Sequence, residues 1–265
     1  MNSIKRFFTS STRTANKMIV AVYVLFRAIA IFMLINQLIM QRWGNAFLLV
    51  LTLVLFAIPF LLERVFKIEI PNLLELIIIT FIFCSTILGE LSDFYGYFKI
   101  WDTALHTLNG FLAAGVGFSL VYLLHRNAEG INLTPLYLAI VTFSFSMTVG
   151  VMWEFFEFST DRWLNLDMQK DRIVQQINSV SIGAENNTVS HIENIQRTVI
   201  ERKGNTGAVT IDGGYLDIGI IDTMKDLFVN LLGAIVFSIF GYLYARHDQK
   251  KYRFVQNFIP KKRER

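Results

Sequence analysis

The chain has a single cysteine, Cys84, inside an apolar run. An internal disulfide and a cysteine-rich metal site are therefore excluded. Four prolines and sixteen glycines in 265 residues are too few for a collagen-like or low-complexity chain, and no internal repeat is visible. Charged residues make up only 17% and the net charge is +4. That charge is small, its placement says more than its size, and no nucleic-acid partner is expected. What the chain has in excess is apolar surface. Hydrophobic residues reach 53%, against about 45–50% in soluble domains, and the mean hydropathy is +0.44. The excess lies in long runs, which marks a membrane protein whose main partner is the lipid bilayer.

Six runs are long and apolar enough to cross a bilayer as helices, at residues 18–40, 46–62, 71–92, 101–124, 134–158 and 223–245. The first is too long for the apolar core of a cleaved signal peptide, and no small-x-small cleavage site follows it. The second is short and ends near Pro59. The expected fold is an all-α, six-helix transmembrane bundle. It comprises a basic tail at 1–17, five spans within 18–158, an insertion at 159–222, a sixth span at 223–245 and a second basic tail at 246–265.

Basic residues set the orientation. Lys5, Arg6, Arg13 and Lys17 precede the first span, Arg64 and Lys67 follow the second, and Arg126 follows the fourth. Arg246, Lys250, Lys251, Arg253, Lys261, Lys262, Arg263 and Arg265 follow the sixth. These places share one side when every span crosses fully, and by the positive-inside rule that side is the cytoplasm. The insertion then faces outward. Within it, "RTVIERKGNTGAVTIDGG" sets β-branched residues on either side of a Gly/Asn-rich turn at Lys203–Gly207, the pattern of a β-hairpin. "DRIVQQINSV" is expected to form a short amphipathic helix, and Asn186 opens an Asn-x-Thr acceptor pattern.

On this topology polar residues gather at one depth. Asp102 and His106 sit one turn apart at the outer end of the fourth span, with Asn109 just beyond. Glu154, Glu157 and Asp161 recur at intervals of three and four, so they share a helical face that continues inward through Gly150 and Ser146. Asp222, Asp226 and Asn230 are spaced by four on the sixth span, with Gly233 below, and Glu90 ends the third span near Asp93. Gly110, Ala113 and Gly117 continue the polar face of the fourth helix, and small residues let membrane helices approach closely. Trp101, Trp153 and Trp163 form an aromatic belt at this depth. So many acids, some at a helix C-terminus where the macrodipole disfavours anions, need protons or a metal cation. One imidazole with several carboxylates suits Zn, Mn, Fe or Mg. The bland readings stand beside this one: Asp102 and Asp222 as helix N-caps, Asp93 and Asp161 as hydrated interface residues, His106 as a structural hydrogen-bonded group. Arg27 reads as structural, snorkelling inward or pairing with Glu75.

The site reading is a metal-dependent hydrolase or transferase of the cell envelope, acting on a lipid or lipid-linked substrate. His106, Asp102 and Glu154 are its catalytic candidates. His106, Glu154, Glu157 and Asp226 are the metal candidates. Asn109 and Asn230 would bind substrate, with Glu90, Asp161 and Asp222 in support. No nucleophile motif accompanies them, and Ser159 and Thr160 are merely near. An ion-coupled transporter using the same acids, or a non-catalytic membrane scaffold, are the alternatives.

The motifs "WDTALHTLNG", "WEFFEFSTD" and "DTMKDLFVNLLGA", in that order, resemble the YjdF-like family of multi-pass bacterial inner-membrane proteins. The resemblance spans residues 70–245 and implies a membrane bundle with that address. A weaker similarity reaches VanZ-like proteins. They pair D-x-x-x-H on one span with D-x-x-x-N-x-x-G on a later one, here Asp102 and His106, then Asp226, Asn230 and Gly233.

Overall fold

The structure is a computed structural model that describes residues 17–127, 133–182, 188–204, 207–246 and 251–262. Asn186, Asn205 and Thr206, and with them the acceptor pattern and the centre of the hairpin turn, lie outside the described residues, as does most of the N-terminal basic tail. The chain divides into two compact units. The first holds the described residues up to Phe155 and from Asp226 onward; the second is Phe156–Lys225.

Among the described residues, six helical segments are long and apolar enough to cross a membrane. The first span is α1 (Lys17–Ile39). The second is broken into α2 (Trp43–Leu55) and α3 (Ile58–Phe66). Proline explains the break. Pro59 has no N–H to offer the carbonyl four residues back, and its ring crowds that turn. The span does not end there, as the sequence had suggested, but resumes and runs to Phe66. A two-residue strand β1 (Ile68–Glu69) follows. The third span is α4 (Asn72–Ile82), continued by a π-helical stretch at Phe83–Leu91. After the short α5 (Phe94–Tyr97) come α6 (Trp101–Asn127) and α7 (Pro135–Leu164). The sixth span is α8 (Ile220–Arg246).

Large apolar side chains such as Phe32, Ile39 and Val65 stand exposed, as lipid-facing residues do. Inside the first unit the packing is of another kind. Hydrophobic burial gives little drive between helices in lipid, so small residues and interhelical hydrogen bonds carry the association. A Cβ added at Gly110 of α6 would lie 2.0 Å from the Asn230 carbonyl oxygen, and one at Gly233 of α8 would lie 2.0 Å from the Thr107 carbonyl oxygen. The two helices meet backbone to backbone at both glycines. Ser146 of α7 donates to the Gly110 carbonyl at 2.7 Å, which ties the third helix to the same crossing.

Arg27 is buried in α1 and donates to the Phe56 carbonyl at 3.0 Å, at the break in the second span. Its guanidinium lies 4.8 Å from the centre of the Tyr23 ring. The Glu75 carboxylate, fully buried in α4, is held by the Tyr23 hydroxyl. Arg27 is thus a structural brace, anchored on a backbone carbonyl rather than snorkelling.

The residues after α8 are not a simple basic tail. Arg253–Phe258 form a 3-10 turn that sinks Val255 and Phe258 into a core with Leu74, Leu112, Phe118 and Phe237. The Ser119 hydroxyl donates to the Phe258 carbonyl. The last strand, β8 (Lys261–Lys262), pairs antiparallel with β1, Ile68 opposite Lys262. This strap closes against α4, α6 and α8 rather than trailing away, because its apolar residues alternate with the basic ones that suggested a tail.

Among its described residues the second unit carries six short strands in three antiparallel pairs. They are β2 (Arg172–Val174) with β7 (Tyr215–Asp217), β3 (Ile177–Ser179) with β4 (Ser190–Ile192), and β5 (Arg197–Ile200) with β6 (Val209–Asp212). The β5–β6 pair is the expected hairpin. The expected amphipathic helix at "DRIVQQINSV" is instead two strands, β2 and β3. Its β-branched Ile173, Val174 and Ile177 favour the pleated surface once partners are supplied from elsewhere in the chain.

Candidate functional site

In the first unit, His106 is held among three carboxylates from three helices. Asp102 lies one turn before it on α6, and its Oδ1 is 3.4 Å from Nε2. The Oδ2 of Asp226, from α8, is 3.7 Å from the same nitrogen. On the other ring nitrogen, Nδ1, the Oε1 of Glu154 from α7 stands 3.9 Å away. The His106 side chain is 12% exposed, Glu154 5% and Asp226 2%. The Gly110–Gly233 crossing is what makes this possible. With α6 and α8 in backbone contact there, a side chain of one readily reaches a side chain of the other.

Below the acids, Asn109 donates through Nδ2 to Oδ1 of Asn230 at 3.0 Å. Asn230 is 1% exposed, and its own amide nitrogen faces Met147 Sδ at 3.8 Å. Asn230 therefore braces three helices, while Asn109 and His106 also line an apolar cavity of about 580 Å³.

The donor chemistry fits a divalent cation. Asp102, His106 and Asp226 each offer one ligand atom, all within 4.8 Å of one another. One nitrogen and two carboxylate oxygens suit Zn, Mn, Fe or Mg. If all three acids around His106 are ionised, a protonated imidazole still leaves an excess of negative charge. Isolating that excess from water costs several kcal/mol per ion. The two faces of the ring are unlike. Nε2 faces the candidate metal position, and Nδ1 faces Glu154, the arrangement in which a carboxylate orients a metal-binding histidine from behind.

The other acids named from sequence have different surroundings. Glu157, three residues after Glu154 on α7, is buried and falls in the second unit. Glu90 is half-buried in the π-helical stretch. Asp161 accepts from the backbone N–H groups of Met168 and Gln169 at 2.7 and 2.9 Å. Asp222 is 2% exposed and accepts from Lys170 N at 2.8 Å and Arg172 at 3.1 Å. These two acids fasten the segment 168–172 within the second unit. Asp161 is thus more than a hydrated interface residue, and Asp222 lies in the first turn of α8 rather than capping it. Arg172, the cationic partner of Asp222, lies fifty residues earlier in the chain, and no local spacing could have pointed to it. Nearby, the Asp171 carboxyl is pushed above the usual carboxylate range, first by partial burial and then by the like charges of Asp167, Asp217 and Asp161.

The π-helical stretch is a further feature that sequence reading missed. Widening the helix leaves carbonyls open to side-chain donors. The Cys84 carbonyl takes the Trp101 indole N–H at 3.3 Å, and that of Ser85 takes the Tyr95 hydroxyl at 3.4 Å. Ser85, Thr86 and Tyr95 then line the same cavity as His106.

Comparison with known proteins places the chain in a family. Residues 18–247 match the family described as "Predicted membrane protein (DUF2238)", and the chain belongs to it. It is also similar to a protein of Thermotoga maritima named "Uncharacterized protein", at 26% identity over 106 residues. That match covers 40% of this chain and 53% of the relative, so the chain spans about half the length of the curated protein it matches. No solved structure matches.

Proposed function

We propose that this DUF2238 membrane protein is a metal-dependent enzyme of the bacterial envelope, with a lipid or lipid-linked molecule as its substrate. The observation that carries the reading is the double position of His106. Its ring lies within 4 Å of carboxylates from three helices and also forms part of the wall of an apolar cavity. A polar reaction centre at the end of an apolar chamber is what a lipid, with its headgroup and chain, requires.

In this reading His106 Nε2, Asp102 and Asp226 hold the metal, which when bound supplies a Lewis acid and an activated water. Glu154, which faces Nδ1, orients the ring. Asn109 meets the polar part of the substrate, and Asn230 positions Asn109. Glu90 is a candidate for auxiliary charge. The distribution of basic residues supports an active site opening to the outer leaflet of the plasma membrane, with both termini cytoplasmic. The YjdF-like motifs support the same address. Beyond Asn109 the α6 wall of the cavity is Leu112, Ala113 and Val116. Such a wall favours a hydrocarbon over a translocated ion and so favours an enzyme over a transporter.

The test is direct. Purified protein is incubated with an envelope lipid extract, and the extract is followed by mass spectrometry. A lipid species consumed by wild type, but not by His106→Ala or by wild type with a chelator, supports the proposal. An extract that wild type and His106→Ala leave equally unchanged counts against it.

A further inference from the structure

The cavity beside His106 has a shape that narrows the substrate. One face of α6 lines it from Leu105 through Asn109, Leu112 and Val116 to Leu120. At 1.5 Å per residue that wall is about 22 Å long, most of the ~30 Å hydrocarbon core of a bilayer. The polar groups lie toward one end, with His106 and Asn109 from α6 near Tyr95, Ser85 and Thr86. At the other end the C-terminal strap forms the wall through Phe258 and Pro260, beside Ser119 and against Ile68 of β1.

We infer that this cavity is a slot for one hydrocarbon chain, and that the ligand is a single-chain lipid whose headgroup meets His106 and Asn109. The inference rests on the proposed lipid reading and makes it more specific. Three observations carry it. The volume of about 580 Å³ falls within the ~300–1,000 Å³ of pockets that hold one drug-sized molecule, a size that a single-chain lipid meets more closely than a diacyl one. The polar and apolar linings are segregated along the length, as a headgroup and its tail demand. The far end is lined by Phe258 and Pro260, and Phe258 is held by the Ser119 hydroxyl. A floor held in this way sets the length of chain that fits.

The experiment is photolabelling of the full-length protein in bilayers. Three probes carry a diazirine at the chain terminus: a palmitoyl lysophospholipid, a prenyl phosphate, and a diacyl phospholipid. The slot predicts saturable labelling by a single-chain probe, with adducts on peptides holding Val116–Leu120 or Phe254–Pro260. The lysophospholipid and prenyl arms tell which chain is taken. Val116→Phe, which fills the slot midway, lowers labelling by about tenfold, the loss of about 1.4 kcal/mol of affinity. Ala113→Phe serves the same purpose should the first variant fold poorly, folding being judged by the thermal midpoint. His106→Ala keeps its labelling, because the chain rather than the headgroup is gripped. Equal labelling by the diacyl probe, or labelling indifferent to a folded Val116→Phe or Ala113→Phe, overturns the slot. A wild type that shows neither turnover nor metal while its labelling is retained sinks the enzyme reading alone.

Discussion

Glu154 and Asp226 reach His106 from opposite sides of its ring, and their substitutions therefore separate two accounts of the site. If a metal sits at Nε2, Asp226→Asn removes a charged ligand and Glu154→Gln only loosens the group behind the ring. Loss of such an outer partner lowers metal affinity by about 10–100-fold. Asp226→Asn should then lower affinity further, and depress the thermal midpoint more, because a ligand bound only by the folded state stabilises it by mass action. If shared protons neutralise the acids instead, each amide mimics the protonated form and both variants should be neutral or more stable. Metal titration followed by thermal unfolding distinguishes the two. That His106, Asp102, Glu154 and Asp226 belong on facing helices was legible from their spacing, since intervals of three and four fix a helical face. Which ring nitrogen each acid meets was not legible, because it depends on how the helices are rotated about their axes. Nor was the engagement of Asp161 and Asp222 with backbone N–H groups and Arg172, which sequence proximity to the motifs concealed.

Among the elements, the crossing of α6 over α8 sets the geometry of the site. Gly233→Ala forces a Cβ against the Thr107 carbonyl, an obstacle that cannot turn aside. It should cost at least the ~1–3 kcal/mol typical of overpacking and weaken metal binding as His106 and Asp226 separate. Gly117→Ala is the control, for there the Cβ meets the base of the Phe145 side chain at 2.8 Å, a milder clash than 2.0 Å from a backbone carbonyl. Thermal unfolding in detergent should rank Gly233→Ala well below Gly117→Ala; equal midpoints would remove the crossing from the account. The long helices were readable because composition alone forces a buried, hydrogen-bonded backbone across lipid. The π-helical stretch leaves no mark in the pattern of Phe83–Leu91. The strands β2 and β3 were hidden for a related reason. Three-residue strands carry too little periodicity to identify them, and their partners β7 and β4 are supplied by other parts of the insertion.

For the whole molecule, the expected six-helix membrane protein agrees with the structure and with the family match, while the plasma-membrane address and the orientation are proposals that chemistry can test. On a Cys84→Ala background, Lys203→Cys in the insertion should react with an impermeant thiol reagent applied to intact cells. Lys251→Cys, after α8, should react only once the membrane is opened; the reverse pattern would move the site to the cytoplasmic face. The C-terminal strap shows the limit of reading charge alone, since the basic residues from which an orientation was inferred also disguised Val255 and Phe258 as part of a tail. The central claim is that His106 and its acids hold a divalent metal, and elemental analysis of protein purified without chelator tests it most directly. Wild type should carry about one divalent ion per chain, and His106→Ala should lose it and unfold at a lower temperature, as linked metal binding and folding require. A metal-free wild type whose thermal midpoint does not shift when Zn, Mn, Fe or Mg is added would contradict the claim.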